Sequence, residues 1–245
     1  MRRLQRKRKC SDVLCNEVAD AFAKYNSTSS SLTQFDKRLK KASGCKSLVL
    51  NGCVKCHKYV FHPREKLKSC PLCKGPRYNS EGNPLEIAYY FPLRSRLKSL
   101  LRIAEYRMLL RHEYDRPRNI NLMTDVYDAP AWVRFMGPPS NPCHRIGLQF
   151  CTDGFQAHTS KNCPRSLKPH QFAVLSLPPA IRWHSKYMIT SMLLPQDIKS
   201  HSQKKYFNFM AKYDLEKLWD QGVSGVKVKV FGTSMDTPGR ADLLG

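Results

Sequence analysis

Cys151-Thr-Asp153-Gly-Phe155 and Met235-Asp236-Thr-Pro238-Gly-Arg240 decide how the second half of this chain is read. Each sets one carboxylate just past a strand-like apolar run, and a helix-like segment lies between them. Arg145–Thr152 reads as the strand before the first acid, with Gln171–Leu177 and Tyr187–Leu194 as the next two. Tyr206–Trp219 carries Phe207, Met210, Leu215 and Leu218 at helical spacing, and Gly222 ends that helix. Val226-Lys-Val-Lys-Val-Phe231 then alternates as a fourth strand.

Three strands, a helix and a fourth strand form the opening order of an RNase H-like α/β fold. Its first and fourth strands are neighbours, so Asp153 and Asp236 are expected to converge although 83 positions separate them. Two carboxylates brought together in this way suit divalent metal ions. Each acid alone also has a plainer reading as a turn former or helix cap, as Asp236 before Thr-Pro illustrates.

The composition restricts the partners. Lys and Arg number 42 against 19 Asp and Glu, for a net charge of +23, and 41% of residues are apolar, enough for a buried core. Such an excess of cations favours a polyanion, because each neutralised phosphate releases condensed counterions. Charge alone leaves DNA, RNA and an acidic membrane surface open, and a basic ribosome-associated protein remains a reading. No apolar run approaches the ~20 residues that span a bilayer, and no secretory signal opens the chain, so no membrane role is expected. Arg2, Arg3, Arg6, Lys7, Arg8 and Lys9 instead form a dense basic arm, read as a nuclear-import or phosphate-contacting segment.

Ten cysteines without a secretory signal do not suggest a disulfide framework. Cys53-Val-Lys-Cys56, thirteen intervening residues and Cys70-Pro-Leu-Cys73 have the spacing of a four-thiolate zinc ribbon. Two residues inside each pair let both sulfurs of a turn face one tetrahedral ion. His57 and His62 lie nearby, but two complete pairs leave them no coordination role. Tyr59-Val60-Phe61 is expected to form a short strand. Lys55, Lys58, Arg64, Lys74 and Arg77 make the segment basic, which favours contact with DNA; a purely bracing ribbon is the alternative.

The remaining chain divides coarsely. Residues 1–44 read as a basic arm with short helices, residues 45–80 as the ribbon and residues 81–144 as an amphipathic helix with an irregular linker. Residues 145–245 read as a partial RNase H-like domain. Pro92 suits a first helical turn, and Leu93, Leu97, Leu100, Leu101, Ala104 and Met108 form an apolar stripe. Arg94, Arg96 and Lys98 lie off that stripe, on a face able to follow a phosphate backbone. Trp132 and Phe135 are expected to pack.

Taken in order, several motifs resemble CACTA-type (En/Spm) DNA transposases. Tyr89-Tyr-Phe-Pro-Leu-Arg-Ser-Arg-Leu-Lys98 is similar to the family's Tyr-Phe-Pro-Leu-x-x-Arg-Leu-Lys segment. Asp128-Ala-Pro-Ala-Trp132, Thr152-Asp-Gly-Phe155, Leu177-Pro-Pro-Ala-Ile-Arg182 and Asp236-Thr-Pro-Gly-Arg240 follow in the family's order. The upstream ribbon, ending Cys70-Pro-Leu-Cys73-Lys-Gly-Pro-Arg77-Tyr78, is also like those transposases. The resemblance covers roughly two-thirds of the chain.

The resemblance implies Asp153 and Asp236 as the first two catalytic acids, structural Zn2+ on the cysteines, and Mg2+ or Mn2+ on the acids. It also implies transposon-end DNA and further transposase chains as partners, and metal-dependent phosphodiester cleavage with strand transfer as the reaction. The chain departs from the family pattern after Phe155, where Gln156-Ala-His158 replaces Asn-Pro, and at Gly239, where Ala is usual. The family's third acid lies well beyond the second, whereas nine residues follow Asp236 here. The expectation is an incomplete site, inactive by itself. The alternative is a non-catalytic, zinc-dependent DNA-binding protein.

Overall fold

A computed structural model describes residues 47–117, 121–137, 145–158, 165–195, 198 and 200–235. The strands are β1 (Leu48–Gly52), β2 (Val60–Phe61), β3 (Ile87–Tyr90), β4 (Arg145–Thr152), β5 (Phe155–His158), β6 (Arg165–Val174), β7 (Ile189–Pro195) and β8 (Lys227–Ser234). The helices are α1 (Leu93–Leu100), α2 (Ala104–Leu109), α3 (His112–Asp115), α4 (Pro130–Met136), α5 (Ser200–Met210) and α6 (Glu216–Gln221). A π-helical turn, Ala211–Leu215, joins α5 to α6.

The alternation along β4 gives it two different faces. Ile146, Leu148 and Phe150 are buried in the main core with Phe172, Val174, Met192 and Leu194 of β6 and β7. That face is covered by α1, α2, α5 and α6 through Leu93, Leu97, Tyr106, Tyr206, Met210 and Leu218. On the other face Gly147 meets the ring of Trp132, which with Tyr127, Met136 and Leu175 forms a second, smaller core. Helices therefore lie against both faces of a mixed sheet. Its order is β2-β1-β3-β7-β6-β4-β8, with β5 paired to β6 off that path.

β4 lies between an antiparallel partner, β6, and a parallel one, β8. The strands expected as first and fourth in the second half, β4 and β8, are thus neighbours, as the sequence order suggested. One irregularity shapes the pair. Leu148 faces Val230, but Gln149 faces Gly232, so Phe231 is an extra residue on β8. It packs against Trp132 and Phe135, with ring centroids 5.1 and 5.8 Å away. The bulge sets Ser234, rather than Thr233, opposite Cys151.

Several elements depart from the sequence expectation. β6 begins at Arg165 rather than Gln171, because its first residues pair with β5, a strand that polar Gln156 and His158 do not announce. The 93–108 stripe is broken. A bend at Arg102–Ile103 separates α1 from α2, so Tyr106 and Leu110 are buried while Ala104 and Met108 are exposed. Residues expected to be an irregular linker contain α4, started by Pro130 in its first turn. The long helix begins at Ser200, and its π-turn carries Asp214 inward. There Asp214 accepts hydrogen bonds from Tyr90 and from the Leu93 backbone N–H (2.5 Å), at the start of α1. A buried carboxylate from another element thus serves the first turn of a helix with no cap of its own.

The four-cysteine segment shares its sheet with the second half. β1 pairs with β3, and β3 pairs with β7 through Tyr89 opposite Leu193 and Tyr90 opposite Met192. All described residues belong to one compact unit, residues 45–245. The basic arm at residues 2–9 lies outside the described residues, as do the helices expected in 11–42. Among the described residues no helix is long and apolar enough to cross a membrane.

A methyl group at Gly147 would overlap the Trp132 indole, with Cζ3 only 2.6 Å away. Gly147→Ala should therefore lower stability in urea unfolding by about 1–3 kcal/mol, the usual cost of overpacking. Adding Trp132→Phe should recover part of that loss, since the shorter ring makes room for the methyl group.

Candidate functional site

The two cysteine pairs come together as matching turns. In each, the residue after the second cysteine has positive φ, 55° at His57 and 57° at Lys74. Its N–H donates back to the first cysteine's carbonyl, at 3.2 Å from His57 to Cys53 and 2.9 Å from Lys74 to Cys70. The Cys53 and Cys70 N–H groups donate to the carbonyls of Tyr59 and Gly75, closing the turns at 2.9 and 2.8 Å.

All four sulfurs lie within 4.8 Å of one another, with Cys53 and Cys73 at 3.5 Å and Cys56 and Cys70 at 3.8 Å. A tetrahedron with Zn–S bonds of ~2.3 Å has edges of about 3.8 Å, so the donor set fits an ion such as zinc. Burial pushes the Cys53 thiol up to about 12, whereas the Gly75 N–H draws the Cys73 thiol down to about 7. A divalent ion placed among the sulfurs would offset the cost of burying thiolate at Cys53. No other cluster of three or more metal-ligating side chains occurs among the described residues.

The cluster is tied to the long helix. Lys205 on α5 donates to the Cys53 carbonyl (3.0 Å) and pairs with Glu86 (2.5 Å), which also accepts from the Tyr206 hydroxyl (2.7 Å). The ring of His57 is bonded to the Ser202 hydroxyl at 3.1 Å. Gly52 leaves room for this network, because a Cβ there would lie 2.5 Å from the Tyr206 hydroxyl and 2.6 Å from the Lys205 ammonium. His62 packs at a tilt against Tyr213 and Phe209 and is not one of the four clustered ligands.

Lys55, Lys58, Arg64 and Lys74 are exposed around the cluster. Arg77, expected among the DNA contacts, is instead buried. Its guanidinium donates to Asn51 Oδ1 and to the Glu65 and Leu67 carbonyls, and lies over the Phe61 ring. A guanidinium so engaged is unavailable to a phosphate, and it braces the ribbon. On α1, Lys98 is exposed, while Arg94 and Arg96 are half-buried.

Asp153 is exposed just past the end of β4. It lies in a groove of about 470 Å³ together with Cys151, Gly154, Gln171, Trp183, Met188 and Met235. Asp236 lies outside the described residues. Ser234, two positions before it, is paired with Cys151, two positions before Asp153. Four inter-strand steps separate β1 from β4, about 19 Å at ~4.8 Å per step, so the cysteine centre and the groove are distinct sites.

Two features near the groove were not singled out from the sequence. Trp183 contributes an exposed indole to it. His170, opposite Thr152, is fully buried, and neither ring nitrogen has a hydrogen-bond partner among the described residues. Comparisons with protein-family models, curated proteins and solved structures find no match to this chain.

Two outcomes follow from this geometry. The purified chain should carry one zinc per molecule by elemental analysis, and Cys70→Ser should lose it. Because Lys205 and Ser202 tie the cluster to α5, zinc loss should also lower the melting temperature of the whole unit. Burial holds the His170 imidazole at about 4, below its ordinary 6.5. Between those values the unfolded chain binds a proton that the folded chain does not, so stability falls as pH drops from 6.5 towards 4. That contribution amounts to about 3 kcal/mol, and His170→Phe should flatten the pH dependence of the urea midpoint over this window.

Proposed function

We propose that the chain is a DNA transposase-derived protein of the CACTA type, with an RNase H-like core. In this reading Asp153 and Asp236 are the acids that hold Mg2+ or Mn2+ and Cys53, Cys56, Cys70 and Cys73 hold structural zinc. The observation that carries the proposal is the parallel register of β4 and β8. With Cys151 opposite Ser234, each acid stands two positions beyond a paired residue on adjacent strands. The strand order β7-β6-β4-β8, with a helical crossover before β8, agrees with the same reading.

Bound there, divalent ions supply an activated water or 3′-hydroxyl and stabilise the leaving oxygen of a phosphodiester. The chain's part is to ligate and to orient. Asp153 directly follows a strand held on both sides, whose last residues are paired to β6 at Thr152 and to β8 at Cys151. Gly154 presents no side chain to the groove beside it. Two carboxylates give an ion few protein ligands and little charge, so Mg2+ or Mn2+ binding through this pair is expected to be weak.

DNA, with transposon ends as the natural target, is the proposed partner, and further transposase chains are proposed as companions. A nuclear location accords with the basic arm at residues 2–9. A second reading, a zinc-dependent DNA-binding protein without catalysis, is favoured by the exposed Lys55, Lys58, Arg64 and Lys74 around the cysteine centre.

Mn2+ binding followed by electron paramagnetic resonance separates the two. Under the first reading the zinc-loaded chain binds Mn2+ weakly, and Asp153→Asn or Asp236→Asn each abolishes that binding. Binding unchanged in both variants refutes the acid assignment. Duplex DNA affinity should fall steeply with salt under either reading, and Cys53→Ser should weaken it most under the second.

A further inference from the structure

We propose that Trp183 is a base-stacking residue, which receives an unpaired nucleobase in the groove beside Asp153. The inference deepens the nucleic-acid reading above and rests on it. Trp183 is 51% exposed, although an indole is the side chain with the most apolar area to bury. Among the described residues no ring or cation stacks on it. Trp219, exposed to a similar degree, packs against Phe135 and lies beneath the Lys229 ammonium. Trp183 thus offers a π-face to solvent in the groove that contains the proposed catalytic acid.

The segment bearing Trp183 is built to hold it there. The neighbouring Arg182 is buried, with its guanidinium paired to both carboxylate oxygens of Asp125 at 2.8 and 2.9 Å. It also donates to the Leu177 carbonyl from Nε (3.0 Å) and Nη2 (2.7 Å). Successive turns fix the backbone around it, with Arg182 N–H donating to the Pro178 carbonyl (3.1 Å) and His184 N–H to the Ile181 carbonyl (2.9 Å). One side chain is anchored inward and the next stands outward, so presenting the indole requires little ordering on binding.

The surroundings select the occupant. His184 and Lys186 on the same segment are exposed, and the chain as a whole carries +23. An apolar face on the same segment as the Lys186 ammonium suits a flat, polyanion-linked ring. Sequence-tolerant strand binding combines these same parts, aromatic platforms for bases and cations for the backbone. Met188, also in the groove, adds a polarisable flank. Stacking one base would fix the position of the adjoining phosphate relative to Asp153.

The test uses the full, zinc-loaded chain without added Mg2+, so that it does not depend on the acids. Affinity is measured by fluorescence anisotropy for a short labelled oligothymidylate, for the matching abasic strand, and for an oligouridylate. Trp183→Ala should weaken binding of the strands with bases by roughly five- to a hundredfold, the range for loss of one base–aromatic stack. It should leave the abasic strand and the salt slope unchanged, and Trp183→Phe should retain most of the affinity. The oligouridylate distinguishes DNA from RNA as the source of the base.

Equal binding by Trp183→Ala and wild type overturns the stacking role and leaves the nucleic-acid reading intact. An equal loss on the abasic strand assigns Trp183 to shaping the site and likewise overturns it. If wild type binds no strand at all, the nucleic-acid reading itself fails. If Trp183→Ala instead abolishes self-association in sedimentation, the indole belongs to a protein interface and the proposal is wrong.

Discussion

The parallel pairing of β4 with β8 is the constraint from which the rest of the second half follows. Parallel neighbours cannot be joined by a tight turn, so the chain must cross a face of the sheet before β8 can form. The crossover is the long helical passage Ser200–Gln221, and its apolar side covers Ile146, Leu148 and Phe150. β4 is thereby flanked by strands and covered on one face by helix and on the other by Trp132. A residue just beyond its end inherits that rigidity while remaining in solvent, and Asp153 is such a residue.

A second constraint joins the cysteine turns to this framework. Lys205 and Glu86 are both withdrawn from water, and burying such a pair is tolerable only where hydrogen bonds satisfy the remaining atoms. The Cys53 carbonyl and the Tyr206 hydroxyl provide those bonds. The geometry of the first cysteine turn is consequently linked to a helix 152 positions away in sequence. Metal binding and helix packing therefore support each other, and the ribbon does more than hold its own short segment together.

The sequence made some of this legible and concealed the rest for identifiable reasons. Two Cys-x-x-Cys pairs at ribbon spacing are a local signal, so the four-cysteine cluster could be read directly, and the alternation of Val226–Phe231 marked β8. The Phe231 bulge left no trace, because an extra residue is recognisable only against the partner strand. Arg77 was grouped with its exposed neighbours by charge, and only its partners Asn51, Glu65 and Leu67 reveal that it faces inward. The helical stripe from Leu93 misled for a related reason. Apolar spacing cannot show that the chain bends at Arg102–Ile103 and turns a different face, with Tyr106, to the core. Trp183 gave no signal, since a lone Trp is ordinarily read as core.

The distance between the two sites argues for a division of labour. An ion held by four cysteines has no open coordination position, and four inter-strand steps separate β1 beside it from β4 at the groove. It can act on chemistry there only through the framework, by holding α5 against the sheet edge. Under the proposed function, the exposed cations around the cysteines would serve for sequence-independent grip on a duplex backbone. At the groove, by contrast, a carboxylate and an indole stand together, and neither is suited to gripping phosphate. A carboxylate repels a phosphate unless a cation intervenes, and an indole can stack only on a base that has left its pair. Under the proposed function, the groove would therefore receive an unpaired strand and the cysteine end an intact duplex.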